Sequence, residues 1–427
     1  MIKCSILTDS SKYNIKFQDS KQKNTKITCF FRNTVYDIKT ISCHTGVYRV
    51  PGEDTFFMKI LQIITELGGG GAEKIIAMLS EGLIASGNTV TVVSLLKEPQ
   101  DMTIPDRLRS AGVNVIFLNG RKSDPFLLFR LRRVIKRVVP DVIHAHLVHP
   151  NLLSRLASAG LGIPLVNTIH TAEKRAGKKK YFLLDKLTWK LADCVTAVSA
   201  SAAAFHRQAC GLKKSVNIRV IPNAVEPVVP APEELCKNLR DQWCPGADKV
   251  IGCVGRLDAM KGYEVILDRL EPLSRLIPDG EKWLLLVLGD GPDRDKLERK
   301  AAALRYENLK VVFAGFRNDA ASLMNLFDVF LTPSLCEGYG VAAAEAMTLG
   351  LPVVCNRIDA LPELCRAYHG DSFLFNMEED EDGTEMAVQI LSASACERSG
   401  GMVLMTQEKM VQMYRRLYEA LCRCRKS

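Results

Sequence analysis

The segment Glu337-Gly338-Tyr339-Gly340-Val341 runs on through Ala342, Ala343 and Ala344 to Glu345, setting two carboxylates eight positions apart across a glycine-rich turn. Val329–Thr332 ahead of it is a short apolar run of strand type, and the alanines behind it favour helix. The pattern predicts Glu337 at the carboxyl end of a buried strand, where ligands bind in open α/β sheets, and Glu345 about two turns further on, within the following helix. Gly338 and Gly340 have no side chains to keep an anion from the backbone N–H groups at the helix's positive end. On these residues alone, Glu337 could equally cap the helix and Glu345 stand in solvent. The chemistry on offer is an anion held in the middle, with hydroxyl-accepting carboxylates on both sides. A nucleotide sugar has that layout.

Other strands deliver similar groups. Val250–Val254 runs into Gly255-Arg256 and then Lys261-Gly262, two cations five residues apart that could neutralise a diphosphate, Arg as a fork and Lys as a point charge. Leu284–Leu288 ends in Gly289-Asp290-Gly291-Pro292, Val311–Ala314 in Gly315-Phe316, and Val353–Cys355 supplies a further strand. In the amino-terminal half, Met58–Thr65 is a first strand, followed by Gly68 to Gly71 and a helix over 72–86. This turn is neither a Walker loop, because no Gly-Lys-Ser/Thr follows, nor a dinucleotide fingerprint. Alternation along Asp141–His146 places His144 and His146 on one face, with His149 in the loop and His170 at the end of the next strand. The acid and cysteine partners of a zinc centre are missing nearby. Strands alternating with helix-length segments predict an α/β protein of two doubly wound, Rossmann-like domains, 58–226 and 235–400, joined by the proline-rich run Pro227 to Pro232. Helical spacing over 402–424 predicts a carboxyl-terminal helix.

Taken in order, Val254-Gly255-Arg256-Leu257 with Lys261-Gly262, Gly289-Asp290-Gly291-Pro292, Gly315, Pro333-Ser334 with Glu337 to Gly340, and Glu345-Ala346-Met347 with Gly350 to Val354 resemble the GT-B-fold glycosyltransferases of family 4. That group, glycosyl transferases group 1, includes many bacterial polysaccharide and lipopolysaccharide sugar transferases. The resemblance runs from about Met58 to about Leu364. It implies two domains facing a cleft, and transfer of a sugar from a nucleoside diphosphate sugar to a glycan or lipid-linked acceptor with retention at the anomeric carbon. It further implies that Arg256 and Lys261 hold the diphosphate, Glu337 the sugar hydroxyls and Glu345 the ribose diol, with backbone N–H groups from Gly338, Tyr339, Gly340 and Val341 on the phosphates. Gly70 and Gly71 would face the cleft, and Gly255, Gly289, Gly315 and Phe316 would complete the donor-binding set. His146, at its strand end, joins Glu337, Arg256 and Lys261 in the catalytic group. Tyr339 stands where Phe is more usual, and Thr348-Leu349-Gly350 replaces Ala-Cys-Gly; neither touches a charged role.

The same resemblance implies no bound metal and no cofactor beyond the donor substrate, since two cations and a helix N-terminus can stabilise a leaving diphosphate. Asp293-Arg294-Asp295 reads as surface charge on a helix after Pro292. Retention without an evident nucleophile suggests a leaving-phosphate oxygen as base towards the acceptor. A sugar-nucleotide epimerase of the same fold, or a non-catalytic nucleotide-sugar-binding protein, are the alternatives.

At 427 residues the chain has room for two cores. Its 14 cysteines show no Cys-x-x-Cys spacing, which reads as reduced thiols of a cytoplasmic protein. No apolar run reaches the ~18 residues that span a bilayer. The net charge of +9 is concentrated: residues 121–190 hold 15 Lys plus Arg against 4 Asp plus Glu. Basic residues beside apolar anchors suit an anionic membrane surface, so peripheral attachment to the inner face of the plasma membrane is expected. No nucleic-acid-binding module is present, and nucleic acid is not an expected partner. Residues 1–57 lack amphipathic period and a signal-peptide core, and read as a disordered extension or a start assigned too far upstream.

Overall fold

The computed structural model describes residues 57–121, 124–170, 179–243 and 245–426, with four short strands nearer the amino terminus. These four are β1 (Leu7–Thr8) paired with β2 (Ser11–Lys12), and β3 (Ile27–Phe31) paired with β4 (Thr34–Ile38), both antiparallel. Elsewhere in 1–56 the reading lies outside the described residues, as do Lys174, Arg175 and Lys178.

Residues 59–427 form one compact unit built on two sheets. The N lobe carries β5 (Lys59–Ile64), β6 (Thr89–Leu96), β7 (Asn114–Gly120), β8 (Val142–His146), β9 (Leu165–Ile169), β10 (Cys194–Ala197) and β11 (Arg219–Val220). Its spatial order is β11-β10-β9-β8-β5-β6-β7, parallel throughout. The C lobe carries β12 (Lys249–Val254), β13 (Trp283–Leu288), β14 (Leu309–Gly315), β15 (Val329–Thr332), β16 (Val353–Asn356) and β17 (Ser372–Phe375), ordered β14-β13-β12-β15-β16-β17 and also parallel. Parallel sheets are covered on both faces, which is why β13 can be Trp-Leu-Leu-Leu-Val-Leu with every residue buried. Gly252 within β12 is required by packing: a Cβ there would collide with the fully buried ring of Phe327.

Each order reverses direction once, between β5 and β8 in the N lobe and between β12 and β15 in the C lobe. Chains leaving two neighbouring strands in opposite directions open a crevice at their carboxyl ends. The glycine turn and His146 follow β5 and end β8, while Arg256, Lys261 and Glu337 follow β12 and β15.

The last helix spans Gln407–Lys426 and packs on the N lobe: Gln407 Nε2 donates to Met78 O at 2.6 Å, and Cys422 Sγ lies 3.4 Å from Asp141 O. It starts later than 402 because 402–406 runs along the molecule in another conformation. Met402 N donates to Met347 O at 3.1 Å, Met405 O accepts from Val225 N at 3.0 Å, and Thr406 Oγ1 accepts from Lys409 N at 3.3 Å, closing the first turn. Gly82 lets this helix approach, since a Cβ there would meet Val411.

Candidate functional site

After β12 the chain turns through the short 3-10 segment Ala259–Lys261, which Asp258 caps by accepting from Met260 N at 3.0 Å. Gly262 ends it at φ +72°, a left-handed conformation that a side chain would strain, and its α-carbon abuts the carbonyl of Pro333. This contact brings Lys261 against the loop after β15. There Lys261 Nζ lies 2.7 Å from Glu337 Oε2, Ser334 Oγ donates to the same oxygen at 3.4 Å, and Glu337 N donates to Asp359 Oδ2 at 3.1 Å. Glu337 does not cap the next helix, Val341–Thr348. The cap is Gly340 at φ +91°, with no side-chain acceptor, so the first-turn N–H groups keep their capacity for an anion. A side chain at Gly340 would also crowd Leu361 Cδ2, at 2.8 Å.

Gly255, Gly289 and Gly315 meet at the ends of adjacent strands: Gly255 N donates to Leu288 O at 3.1 Å, Gly289 N to Gly315 O at 2.8 Å, and a Cβ on Gly289 would collide with Gly255 O. Phe316 is exposed beside them. Arg256 extends into solvent, 3.8 Å from Asp258 Oδ2. The Tyr339 ring is buried in the core, which pushes its phenol up to about 12, so what it can offer a ligand is its main chain. A cavity of about 10 Å³, room for about one water, lies among Lys261, Thr332, Ser334, Glu337 and Gly340. Thr332 Oγ1 is buried there without a hydrogen-bond partner.

The N lobe reaches this surface at three points. Lys74, in the first turn of the helix Gly71–Ala85, places Nζ 3.1 Å from Glu345 Oε1. Ser199 Oγ donates to Gly338 O at 2.8 Å. The amino end of the helix Ala200–Ala209 is held by the Glu363 carboxylate, with Ala200 N at 3.0 Å and Ser201 N at 2.6 Å. Gly70 caps Gly71–Ala85 without a side-chain bond, and Glu73 folds over it. Burial pushes the Glu73 carboxyl up to about 7, against a lowering bond from its own backbone, with Glu66 adding a smaller upward push. Sequence reasoning missed Lys74, Glu73, Ser199, Asp359 and Glu363. Lys74 alone left a signal, as the first cation after the glycine turn.

The histidines are brought together but enclosed. His144 and His146 share a face, with ring centroids 3.9 Å apart. His144 uses both nitrogens, on Tyr418 OH and Thr168 Oγ1, each at 2.6 Å. His146 is 1% exposed and uses Nδ1 on His170 Nε2 at 3.0 Å and Nε2 on Gln62 Oε1 at 3.1 Å. The ring expected to serve at the strand end is therefore shut away between His170 and Gln62, while the carboxyl-terminal helix lays Tyr414 and Tyr418 over its neighbour His144. Burial, with a smaller contribution from neighbouring histidines, holds His144 and His146 well below the usual value, and burial holds His170 at about 4.

Among the described residues, one group has the donor set for a metal: Asp185, His206 and Cys210. Asp185 is already paired with the buried Arg155 and sits 2.8 Å from His206 Nε2, and burial pushes the Cys210 thiol up to about 12. Its carboxylate charge is thus balanced without an ion. Asp293 and Asp295 flank Arg294 at the start of the helix Arg294–Ala303, where Arg294 instead bridges Asp290 at 3.0 Å and Glu298 at 2.8 Å.

Known families match both lobes. The description Glycosyltransferase Family 4 matches residues 69–228, and Glycosyl transferases group 1 matches residues 248–393. The chain is a family 4 glycosyltransferase. Relatives of this glycosyltransferase include the N-acetyl-alpha-D-glucosaminyl L-malate synthase of Bacillus anthracis, 23% identical over 69% of this chain and 78% of that protein. The phosphatidyl-myo-inositol mannosyltransferase of Mycobacterium leprae is 29% identical over 70% of this chain and 77% of its own length. The crystal structure of Anabaena HepE in complex with UDP and glucose superposes with a TM-score of 0.69 at 21% identity, covering 85% of this chain and all of that one. The fold of this glycosyltransferase is GT-B, and the enzyme transfers sugar. None of its described helices is long and apolar enough to cross a membrane.

Proposed function

We propose that this glycosyltransferase moves a hexose-type unit from a nucleoside diphosphate sugar to a glycan or lipid-linked acceptor, with retention, in the building of cell-surface polysaccharide. The observation that carries the reading is the Lys261–Glu337 pair, 2.7 Å apart at the crevice between β12 and β15. It stands beside the N-terminus of Val341–Thr348, which has no side-chain cap, and the exposed Arg256. In this reading Lys261, Arg256 and the N–H groups from Gly338 to Val341 take the diphosphate, Glu337 takes sugar hydroxyls and Glu345 the ribose diol. The bond from the anomeric carbon to the leaving phosphate oxygen breaks as the acceptor oxygen bonds that carbon on the same face. The acceptor's proton passes to the phosphate. Donor chemistry of this kind is supported by the UDP and glucose bound in HepE.

For the acceptor, the named relatives diverge between malate and phosphatidylinositol, and the outer face of the N lobe favours a lipid-linked one. Phe126 and Phe129 are exposed at the helix Leu127–Val138, and Leu183, Leu184 and Leu187 on the helix Lys179–Thr188. Both pack on the helix Val148–Ser158, and the same two helices expose Arg133, Arg137, Lys180 and Lys186. That combination suits the anionic cytoplasmic leaflet, so the enzyme works at the inner face of the plasma membrane.

The test is a donor screen that measures nucleoside diphosphate release with and without lipid acceptors, run on wild type, Glu337→Gln and Glu345→Gln. A ribose contact serves substrate and transition state alike, so Glu345→Gln raises the donor KM. A sugar contact strengthens as positive charge grows at the anomeric carbon, so Glu337→Gln lowers kcat. Product without an acceptor, an epimerised donor, or the two effects exchanged between the glutamates overturns the assignment.

A further inference from the structure

The two glutamates of the donor surface are each held by one lysine, and the lysines come from different lobes. Lys261 holds Glu337 from within the C lobe, whereas Lys74 reaches Glu345 from the N lobe at 3.1 Å. The Glu345 side chain is 13% exposed and that of Lys74 43%, so the ammonium enters the cleft from its open side and meets a largely enclosed carboxylate. The helix ends that carry the pair lie against each other. Gly71, first residue of its 15-residue helix, faces Val341, first residue of the 8-residue C-lobe helix; a Cβ on Gly71 would stand 3.7 Å from Val341 Cγ2. The caps of both helices, Gly70 and Gly340, offer no side-chain acceptor.

Two positive helix ends therefore face each other at Gly71 and Val341, about one turn from the Lys74–Glu345 pair. Like-signed potentials so close favour an anion of higher charge than one carboxylate, and diphosphate oxygens are the chemistry that answers.

We propose that Lys74 is a phosphate ligand for the nucleoside diphosphate, supplied by the N lobe. On binding, Glu345 turns to the ribose hydroxyls, and Lys74 passes from the carboxylate to a phosphate oxygen. Lys261 makes the matching exchange with Glu337. The ligand then bridges the lobes at the point where the Lys74–Glu345 pair bridges them in its absence. The proposal rests on the reading that Glu345 faces the ribose.

Calorimetry on wild type, Lys74→Met, Lys74→Arg and Glu345→Gln tests it, with UDP, GDP and ADP as probes and the parent nucleoside of whichever binds. Loss of one charge-assisted contact weakens the diphosphate roughly tenfold or more in Lys74→Met. The nucleoside affinity stays within about twofold, Lys74→Arg recovers most of the loss, and the salt dependence of binding is shallower in the Met variant. A role confined to packing would move the nucleoside equally and would not be rescued by Arg. Diphosphate affinity that is unchanged or tighter in Lys74→Met overturns the proposal, the tighter result marking Lys74 as an internal competitor for Glu345. If Glu345→Gln weakens the diphosphate and Lys74→Met does not, the inference about Lys74 alone falls. If neither variant weakens it, or no probe binds wild type, the donor reading falls and the proposal with it.

Discussion

Both lobes finish their central strands on polar groups, yet they treat those groups in opposite ways. In the C lobe Lys261 and Glu337 stand as a charged pair with side chains 29% and 16% exposed, and Arg256 is exposed beside Asp258. In the N lobe His144, His146, Gln62 and Thr168 are buried and bonded to one another, with His170 at the edge. The sheets alone do not account for this, because both are parallel and both reverse order at the relevant gap. The difference comes from two sources: the carboxyl-terminal helix lays Tyr414 and Tyr418 against His144, and Gln62 and His170 occupy both nitrogens of His146. A charged pair left partly in water can exchange partners with a ligand at small desolvation cost. A neutral hydrogen-bonded cluster instead acts as core.

The largest effect should follow removal of that cover. Tyr418 is fully buried, so Tyr418→Ala should destabilise by about 3–5 kcal/mol through cavity formation, and Tyr418→Phe by about 1–3 kcal/mol through the unpaired His144 nitrogen. Chemical denaturation measures both. If both are neutral, the helix is not what closes the N-lobe cluster.

Next, Lys261→Ala should lose transfer by on the order of 10²-fold or more while its Tm stays near wild type, as for deletion of one preorganised electrostatic group at a part-exposed site. His146→Ala should lower Tm together with activity, because Gln62 Oε1 and His170 Nε2 lose their buried partner. An unaltered Tm with lost turnover in His146→Ala would restore the histidine to the chemistry and break the comparison.

Legibility in the sequence divides along the same line. Glu337, Lys261 and the glycines that shape their loops sit within a few residues of apolar strand runs, so local pattern located them. Val329–Thr332 emerged with the bounds its apolar run suggests. His144 is closed by Tyr418, 274 positions away, and His146 by Gln62, 84 positions away, and no local pattern carries those distances. The same holds for Lys74 with Glu345 and for Glu363 with Ala200, which meet only when the lobes come together. The helix start at Gln407 was displaced by backbone bonds from Met402 and Met405 that spacing cannot reveal.

Stability against pH sharpens the contrast within the N lobe. His170 has a folded value of about 4 against an ordinary 6.5, so its share of stability is complete above 6.5 and is lost as pH falls towards 4. Glu73 runs the other way: raised from 4.5 to about 7, it contributes fully below 4.5 and loses that share as pH rises to 7. At 1.36 kcal/mol for each pH unit, either share is on the order of 3 kcal/mol. Glu73→Gln should therefore flatten the loss between pH 4.5 and 7, and His170→Asn the loss between 6.5 and 4, in Tm against pH. Profiles unaltered by both substitutions would show that neither group is buried as described.

The smallest effect concerns the outer faces. Exposed large apolar side chains are more numerous in the N lobe, with Phe126 and Phe129 beside one helix and Leu183, Leu184 and Leu187 on another, while the C lobe exposes Leu276, Phe316 and Val388 among others. The N-lobe patch also carries Arg133, Lys136, Arg137, Lys180 and Lys186 in exposed positions. Each basic residue near an anionic surface is worth about 1 kcal/mol, roughly fivefold in partitioning, within a Debye length of about 8 Å at physiological salt. Vesicles of phosphatidylserine and phosphatidylcholine should thus recruit the enzyme, and vesicles of phosphatidylcholine alone should not. Raising the salt should release it. Arg133→Glu with Arg137→Glu should cut binding by more than tenfold without altering donor turnover in solution, because neither residue lies near β12 or β15. Phe129→Ser should weaken binding in a salt-independent way, since the ring acts by burial of apolar area. Equal recruitment to neutral and anionic vesicles would assign the face to apolar contact alone, and no recruitment to either would leave the two lobes alike towards membranes.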